Sequence, residues 1–306
     1  MSKILTVFGA TGNQGGSIIR AVLDDPALSA EFKIRGITRD RSKPAAKALL
    51  SKGVEADLDS KASVLEAIKG SHTVFLVTTL NFLAPEESPE LAHGKNVADA
   101  AKELGVQHLI YSSLLHVSDI THGRLTHVVH FDKKAEVERY IRSTGVPSTF
   151  ILPGYFMSNF SVFQMLQKGA DGVYSLYNPV NEQAEFPLID IEADMGKYGI
   201  AAIKKRSEVL GKQILAAADY YTPTRIVSEF QDITGNKARF ISVDTESYKN
   251  SLPAPMADEM MENHWFIEDP GYFAGRSLKE SLDLLASVGL KPTTWKDYLT
   301  NNKGLF

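Results

Sequence analysis

The segment VFGATGNQGGS, residues 7 to 17, joins a short apolar run to the start of a helical pattern. Three of its glycines, Gly9, Gly12 and Gly15, recur at every third position. Glycine permits a tight turn and a close approach of backbone to phosphate, and a helix start offers unpaired N–H groups and a positive dipole end. Polar side chains that can add contacts are those of Thr11, Asn13 and Gln14. The segment therefore predicts a phosphate-binding turn between a first strand and a first helix; a purely structural turn is the alternative.

Around this turn the chain repeats one pattern from residue 3 to residue 150: an apolar run, a turn, an amphipathic stretch and the next apolar run. The predicted strands are residues 4–8, 33–38, 54–56, 73–77, 108–111 and 149–152. The predicted helices are residues 15–24, 44–52, 60–69, 90–104 and 128–143. Strands that are apolar throughout are typical of a parallel sheet with helices on both faces. This alternation of strands and helices predicts an α/β fold with a doubly wound parallel sheet.

Beyond residue 153 the pattern loosens and turn signals become frequent, so we expect a smaller C-terminal α/β lobe. Helices are predicted there at residues 192–204, 224–234, 245–250 and 277–287. The expected division is residues 1–152 for the first domain and 153–306 for the lobe, with a soft boundary because the chain can thread back. The segment PMADEMMENHWF, residues 255–266, combines methionine, tryptophan and acids. Core filling is its commoner explanation, and a cleft wall or partner surface is the alternative.

The composition is that of an ordinary globular protein, since 43% of the 306 residues are hydrophobic. The net charge of −4, from 33 basic and 37 acidic residues, provides no global attraction to nucleic acid or to an anionic membrane. The chain has no cysteine, which excludes disulfides, thiolate metal sites and cysteine nucleophiles and fits a reducing compartment. No apolar run reaches the length of a membrane helix. We expect a cytoplasmic protein.

Charged residues follow the second predicted strand, the position at which proteins of this fold class distinguish NAD from NADP. In GITRDRSK, residues 36–43, three cations surround Asp40: Arg39, Arg41 and Lys43. A cation accommodates the 2′-phosphate of NADP, whereas an acid binds the ribose diol of NAD. The cluster therefore favours NADP, Asp40 keeps NAD open, and a solvated charged loop is the alternative.

Five segments in combination carry a resemblance to a known family: GATGNQGGS, TRDRSK, GRLTHVVHFDKKAEVERY, GVPSTFILPGYFMSNF and TTWKDYLTNNKGLF. With them the chain resembles the NmrA-like family of atypical short-chain dehydrogenases/reductases, and especially the branch that contains the animal NADPH-sensor protein. The resemblance covers nearly the whole chain. It implies an NAD(P)-binding Rossmann fold with strand order 3-2-1-4-5-6 and a small C-terminal lobe that closes over a cleft.

The resemblance also implies which residues hold NADP(H). The phosphates are expected at Gly9, Thr11, Gly12, Asn13, Gln14 and Gly15. The 2′-phosphate is expected near Arg39 and Lys43, and the adenine near Asp57. The wall beside the ribose and nicotinamide corresponds to Thr78, Thr79 and Leu80, and the loop under the nicotinamide ring to Tyr155, Phe156 and Met157. Lys134 matches the lysine that grips the nicotinamide ribose.

His130 lies four residues before Lys134, so the two side chains share one helix face. At the position of His130 an ordinary short-chain dehydrogenase has a tyrosine, whose pKa the lysine lowers for proton exchange with substrate. Lys134 and His130 are the candidate catalytic residues. Without the tyrosine, we expect a redox-responsive regulator that binds NADP(H) and a protein partner. The alternative is an NADPH-dependent reductase of a small carbonyl, imine or quinone, with Lys134, His130 or a water as the proton source.

Two further interpretations concern the histidines. In the first, His130 is an ordinary polar residue and the cleft is vestigial. In the second, His127 and His130, three residues apart, bind a metal ion, but no third ligand completes such a site. We expect no metal, no direct binding of nucleic acid, no membrane association, and a monomer or a homodimer.

Overall fold

The structure is a computed structural model and describes residues 2–38, 54–55, 58–84 and 87–306. Its strands are β1 Lys3–Phe8, β2 Phe32–Thr38, β3 Val54–Glu55, β4 Thr73–Leu76, β5 His108–Ser112, β6 Ser148–Pro153, β7 Tyr155–Phe156, β8 Leu166–Lys168, β9 Tyr174–Asn178, β10 Phe186–Ile189, β11 Gln213–Ala216, β12 Asp219–Tyr221 and β13 Ala238–Ser242. Each strand predicted from the sequence is present, with ends shifted by one or two residues at most.

Helices separate most of these strands. They are α1 Asn13–Asp24, α2 Pro26–Glu31, α3 Lys61–Ile68, α4 Glu90–Glu103, α5 Val117–Ile120, α6 Val129–Thr144, α7 Asn159–Val162, α8 Ile191–Lys204, α9 Arg206–Val209, α10 Pro223–Thr234, α11 Thr245–Asn250, α12 Ala254–Glu268, α13 Lys279–Ala286 and α14 Trp295–Asn301. The helix predicted at residues 44–52 lies outside the described residues. Within the described ranges, no helix combines the length and apolarity that crossing a bilayer requires.

The main sheet has seven strands in the order β11-β6-β5-β4-β1-β2-β3, and every neighbouring pair is parallel. The predicted doubly wound parallel sheet is therefore confirmed, with β11 added beyond β6. Strand β1 lies inside the sheet, where Val7 aligns with Gly36 of β2 and Phe75 of β4. Residues of β1 are apolar on both faces because helices cover both faces of the sheet.

The two helical layers draw on both halves of the chain. Helices α1 and α8 pack on one face, where the Gly196 N–H donates to Ser17 Oγ at 2.8 Å, and α3, α4 and α6 pack on the other. Because α8 and β11 follow residue 153 in the chain, the C-terminal half completes the main sheet and one of its layers. The division at residue 152 stays a prediction.

The rest of the C-terminal half builds a lobe from two three-stranded sheets, β12-β10-β7 and β13-β9-β8, with helices α10, α11, α12 and α14. Helix α12 was not among the predicted helices. It lies against the start of α6, where the rings of Phe266 and Phe131 are 5.8 Å apart in an edge-to-face contact. This packing brings α12 to the helix that carries His130 and Lys134.

Candidate functional site

The glycine turn after β1 has the backbone conformation that its sequence predicts. Gly9 has φ +67°, a left-handed conformation that favours glycine, and the Gly12 N–H donates to Gly9 O at 2.9 Å. Helix α1 begins at Asn13, and no side chain in the described ranges caps it at Gly12. A Cβ on Gly15 would lie 2.3 Å from Gly9 O, so only glycine fits there. The turn thus presents a helix N-terminus with open backbone donors.

The polar residues of the turn fit a bound pyrophosphate. Thr11 and Asn13 are exposed on its outer side. The Gln14 Oε1 atom is buried and has no hydrogen-bond partner in the described part of the chain. A buried polar atom without a partner costs free energy, which a ligand or water at the turn can recover. Open backbone donors, a cradle that excludes Cβ atoms and polar side chains together suit a dinucleotide phosphate group.

The substitution Gly15→Ala is expected to weaken NADPH binding at least about tenfold, equivalent to about 1.4 kcal/mol. The added Cβ would overlap the Gly9 carbonyl, so the turn would have to open. Isothermal titration calorimetry measures the change. Gly16→Ala is the matched control, because its Cβ would meet the flexible end of Arg20, at 3.2 Å, and Ala10 O at an ordinary van der Waals distance of 3.6 Å. Equal NADPH affinity of Gly15→Ala and the wild type would contradict the assignment of this turn to phosphate binding.

The end of β4 adjoins the glycine turn. A Cβ on Gly9 would lie 2.8 Å from Val77 Cγ1, so the turn contacts the residue just before Thr78. Thr78 is buried, Thr79 is exposed and Leu80 is buried. The carboxyl ends of parallel neighbours β1 and β4 therefore form one edge, the usual position of ligands in a doubly wound fold.

Lys134 reaches this edge from α6. Its Nζ donates to Thr78 O at 2.8 Å and to Glu90 Oε1 at 2.6 Å. The Glu90 side chain is 0% exposed, and the Thr78 hydroxyl also donates to its Oε1, at 2.6 Å. Tyr111 OH lies 3.0 Å from Thr78 Oγ1, and burial, together with the charge of Glu90, raises the pKa of Tyr111 well above its usual value. Tyr111 thus stays protonated, and the cluster pairs one partly buried cation, Lys134, with one fully buried anion, Glu90.

His130 pairs with a carboxylate from the lobe. Glu259 Oε1 accepts from both His130 Nδ1 and the His130 main-chain N–H, at 2.7 and 2.8 Å. The Glu259 side chain is 3% exposed, the His130 side chain 15%. The ring of Phe82, in the loop that follows β4, lies 5.5 Å from the His130 ring. His130 therefore lies between α12 and the loop that begins at Thr78.

A second histidine–glutamate pair involves His127, three residues before His130. Glu262 Oε1 lies 2.6 Å from His127 Nδ1, and Glu262 Oε2 accepts from the His127 main-chain N–H at 2.7 Å. The hydrogen bond to Glu262 raises the pKa of His127, whose side chain is 60% exposed. Both carboxylates lie at the amino-terminal end of α6, whose partial positive charge they complement. Each histidine thus has its own glutamate, and the described residues contain no group of ligands that could hold a metal ion.

The remaining predicted residues differ in accessibility. Tyr155 is buried and donates to Met165 Sδ at 3.1 Å, and burial raises its pKa far above the usual value. Met157 is fully buried, and only Phe156 of the three predicted loop residues is partly exposed. The residues predicted to contact the 2′-phosphate and adenine, Arg39, Lys43 and Asp57, lie outside the described residues.

Three acidic partners in and beside the site were absent from the sequence predictions: Glu90 and Glu259, which contact the candidate catalytic residues, and Glu262, which contacts only His127. Glu90 follows a proline-rich, acidic segment and is the first residue of α4. An acid there is expected because it stabilises the helix start, so its sequence position did not indicate a function. For the other two, one signal was available. Glu259 and Glu262 are three residues apart, the same spacing as His127 and His130.

Comparison with known proteins identifies the family. The sequence model of the NmrA-like family matches residues 1–299. The NmrA-like family domain-containing oxidoreductase ptmS of Penicillium ochrochloron is 30% identical, over 97% of this chain and 92% of its own.

Two solved structures share the fold. NmrA, a negative transcriptional regulator in complex with NADP, superimposes with a TM-score of 0.81 at 22% identity, over 98% of this chain and 95% of its own. The NADPH-dependent quinone oxidoreductase QOR2 of Escherichia coli, complexed with NADPH, superimposes with a TM-score of 0.76 at 22% identity, over 97% of this chain and 99% of its own. Since the family match spans almost the whole chain, the protein belongs to the NmrA-like family.

Proposed function

We propose that this protein binds NADP(H) at the glycine turn and reduces a small carbonyl, imine or quinone compound. The observation that carries the proposal is the position of His130 and Lys134, one helical turn apart on α6. Lys134 Nζ reaches Thr78 O beside the glycine turn, and the His130 ring is partly exposed next to Phe82. A titratable ring and an ammonium group at the edge where the cofactor is expected suit proton transfer and ribose binding.

Each residue has a distinct role in this proposal. Bound NADPH supplies the hydride. Lys134 is held in place by Thr78 O and Glu90, and it binds a ribose hydroxyl with the N–H that otherwise makes its longest contact, 3.3 Å to Thr78 Oγ1. His130 donates the proton from Nε2 to the oxygen or nitrogen of the substrate, so the product is an alcohol, an amine or a hydroquinone. Phe82 packs against the His130 ring and limits the access of water.

The choice of NADP over NAD stays a prediction. It rests on the cations of residues 39–43 and is supported by the NADP and NADPH in the two structural neighbours. NmrA also binds the other cofactor, since a further structure of it is in complex with NAD. Calorimetric titration with NADPH, NADP, NADH and NAD compares the four affinities directly, and equal affinities would contradict the NADP preference.

Turnover tests the reductase function. With NADPH and a panel of carbonyls, imines and quinones, we expect loss of NADPH absorbance. His130→Ala should slow the reaction about 100-fold, because general acids contribute roughly 10²–10⁴ to rate, while calorimetric NADPH affinity stays the same. His127→Ala is the matched control, since it removes a neighbouring histidine whose ring is mostly exposed. Full activity of His130→Ala would show that another group supplies the proton.

A regulator is the second candidate, and two observations favour it. A histidine stands at the position of the usual tyrosine, and the structural neighbour NmrA is a negative transcriptional regulator. A regulator would bind NADP(H) without turnover and present a cofactor-dependent surface to a protein partner. Tight NADPH binding with no NADPH oxidation across the whole panel would favour this candidate over the reductase.

A further inference from the structure

The hydrogen bonds of Glu259 determine which nitrogen of His130 carries a hydrogen. A main-chain N–H can only donate, so Glu259 Oε1 acts as an acceptor toward His130 N. The carboxylate also lies at the amino-terminal end of α6, where a negative charge is favoured. Nδ1, 2.7 Å from the same oxygen, must therefore be the protonated nitrogen of the neutral ring. Nε2 is left to meet a substrate.

The ring has little freedom to turn. The Phe131 ring packs edge-on against it at 4.8 Å, and the Phe82 ring lies 5.5 Å away on a tilted plane. With the Glu259 bonds, these contacts restrain both the plane of the His130 ring and the direction of Nε2. Histidines that act in proton transfer are oriented in this way by a carboxylate on the other ring nitrogen.

We propose that Glu259 is the positioning residue of a His130–Glu259 pair, supplied to the site by α12. This inference rests on the proposed reductase function. Glu259 keeps the hydrogen on Nδ1, leaves Nε2 on the far side of the ring for a substrate, and balances the positive charge while His130 carries both protons. As the hydride reaches the substrate carbon, Nε2 passes its proton to the substrate heteroatom. The neutral ring keeps its Nδ1–H on Glu259 and takes a proton back from solvent.

The chain contains its own control for a merely structural role. Glu262 links α12 to α6 and accepts a main-chain N–H of the same segment, as Glu259 does. Its partner His127, however, has a mostly exposed ring. Glu262→Ala therefore removes a comparable link between the helices without touching the His130 ring. Glu259→Gln is the conservative variant, because the amide oxygen can still accept from Nδ1 but carries no charge.

The test begins with nitrogen-15 NMR of the histidine side chains in the cofactor-free protein, at a pH where histidines are neutral. We expect hydrogen on Nδ1 of His130 in the wild type, in Glu259→Gln and in Glu262→Ala. In Glu259→Ala we expect it on Nε2, the tautomer that an unrestrained imidazole favours. This readout needs neither cofactor nor turnover.

Steady-state kinetics then connect the tautomer to the reaction. Glu259→Ala should lower kcat about 100-fold with an unchanged KM for NADPH, Glu259→Gln should lower it less, and Glu262→Ala should stay close to the wild type. An Nδ1–H tautomer that persists in Glu259→Ala would overturn the proposal, as would an equal loss of kcat in Glu262→Ala. A tautomer change in a protein without any turnover would overturn the reductase function and, with it, the catalytic use of the pair.

Discussion

Replacing Lys134 with methionine is expected to lower the free energy of unfolding by about 3–5 kcal/mol, as when a buried ion pair loses one partner. The Glu90 side chain is fully buried, with Lys134 Nζ 2.6 Å from its Oε1. Methionine retains much of the lysine stem but no charge, so the carboxylate would lose its counter-ion in a site that water does not reach. Urea unfolding followed by circular dichroism measures the difference.

Two variants test that explanation. Adding Glu90→Gln to Lys134→Met should recover part of the lost stability, because the amide still accepts the Thr78 hydroxyl and leaves no unpaired charge. Lys279→Met breaks an exposed pair with Asp283 and should leave stability close to that of the wild type. If Lys134→Met were as mild as Lys279→Met, the buried pair would not contribute as its geometry indicates.

Mild acid is expected to destabilise the protein through two buried histidines, His108 and His264. Burial lowers their pKa values to about 3 and about 4. In the unfolded chain they titrate near 6.5, so below that pH the unfolded state binds protons that the folded state does not. Stability therefore falls as the pH drops below 6.5, by about 1.4 kcal/mol per pH unit for each histidine. Between pH 6.5 and 5 the expected loss is about 3 kcal/mol, because each unfolded-state histidine is only half protonated at the start of that range.

Their hydrogen bonds account for the cost of protonation. His264 Nδ1 donates to Met260 O at 2.7 Å. His108 Nε2 lies 2.8 Å from the Thr149 hydroxyl. Because that hydroxyl donates its own hydrogen to Val209 O, Nε2 is the donor in this bond. The second nitrogen of each ring is buried, with no partner among the described residues. A second proton would therefore add a buried charge and an unmatched donor.

Urea unfolding at a series of pH values measures this loss, and His264→Leu should reduce its slope by about half. His127 acts in the opposite direction. Because Glu262 raises its pKa, His127 adds stability below pH 6.5 that is lost as the pH rises through the folded-state value. Its side chain is 60% exposed, so solvent screening keeps that contribution small. A stability that does not change between pH 7 and 5 would contradict the expected titration of His108 and His264.

The parallel sheet and the glycine turn were predictable because their signals are local. An apolar run followed by glycines at every third position specifies a strand, a turn and a helix start within residues 7–17. The shared face of His130 and Lys134 likewise follows from the geometry of one helix. The sequence carries no local signal that β11 joins the main sheet. That pairing depends on which sheet edge is met by a strand that is distant in the chain.

The acidic partners of the two candidate catalytic residues were not predictable in the same way. Glu90 is 44 positions from Lys134, and Glu259 is 129 positions from His130. No local spacing connects such residues. Their contacts arise because α4 and α6 pack side by side on the sheet and α12 docks on the start of α6.

By itself, the amino-acid sequence determined the alternation of strands and helices, the glycine turn and the face of α6 that carries His130 and Lys134, because each depends on residues within a few helical turns or one strand of each other. Only the tertiary structure decided that Lys134 lies on a buried anion and that Glu259 hydrogen-bonds His130. Those pairings depend on how separately folded elements pack, and a carboxylate is held in such a site only where packing removes water and supplies a counter-charge or donors at the same point.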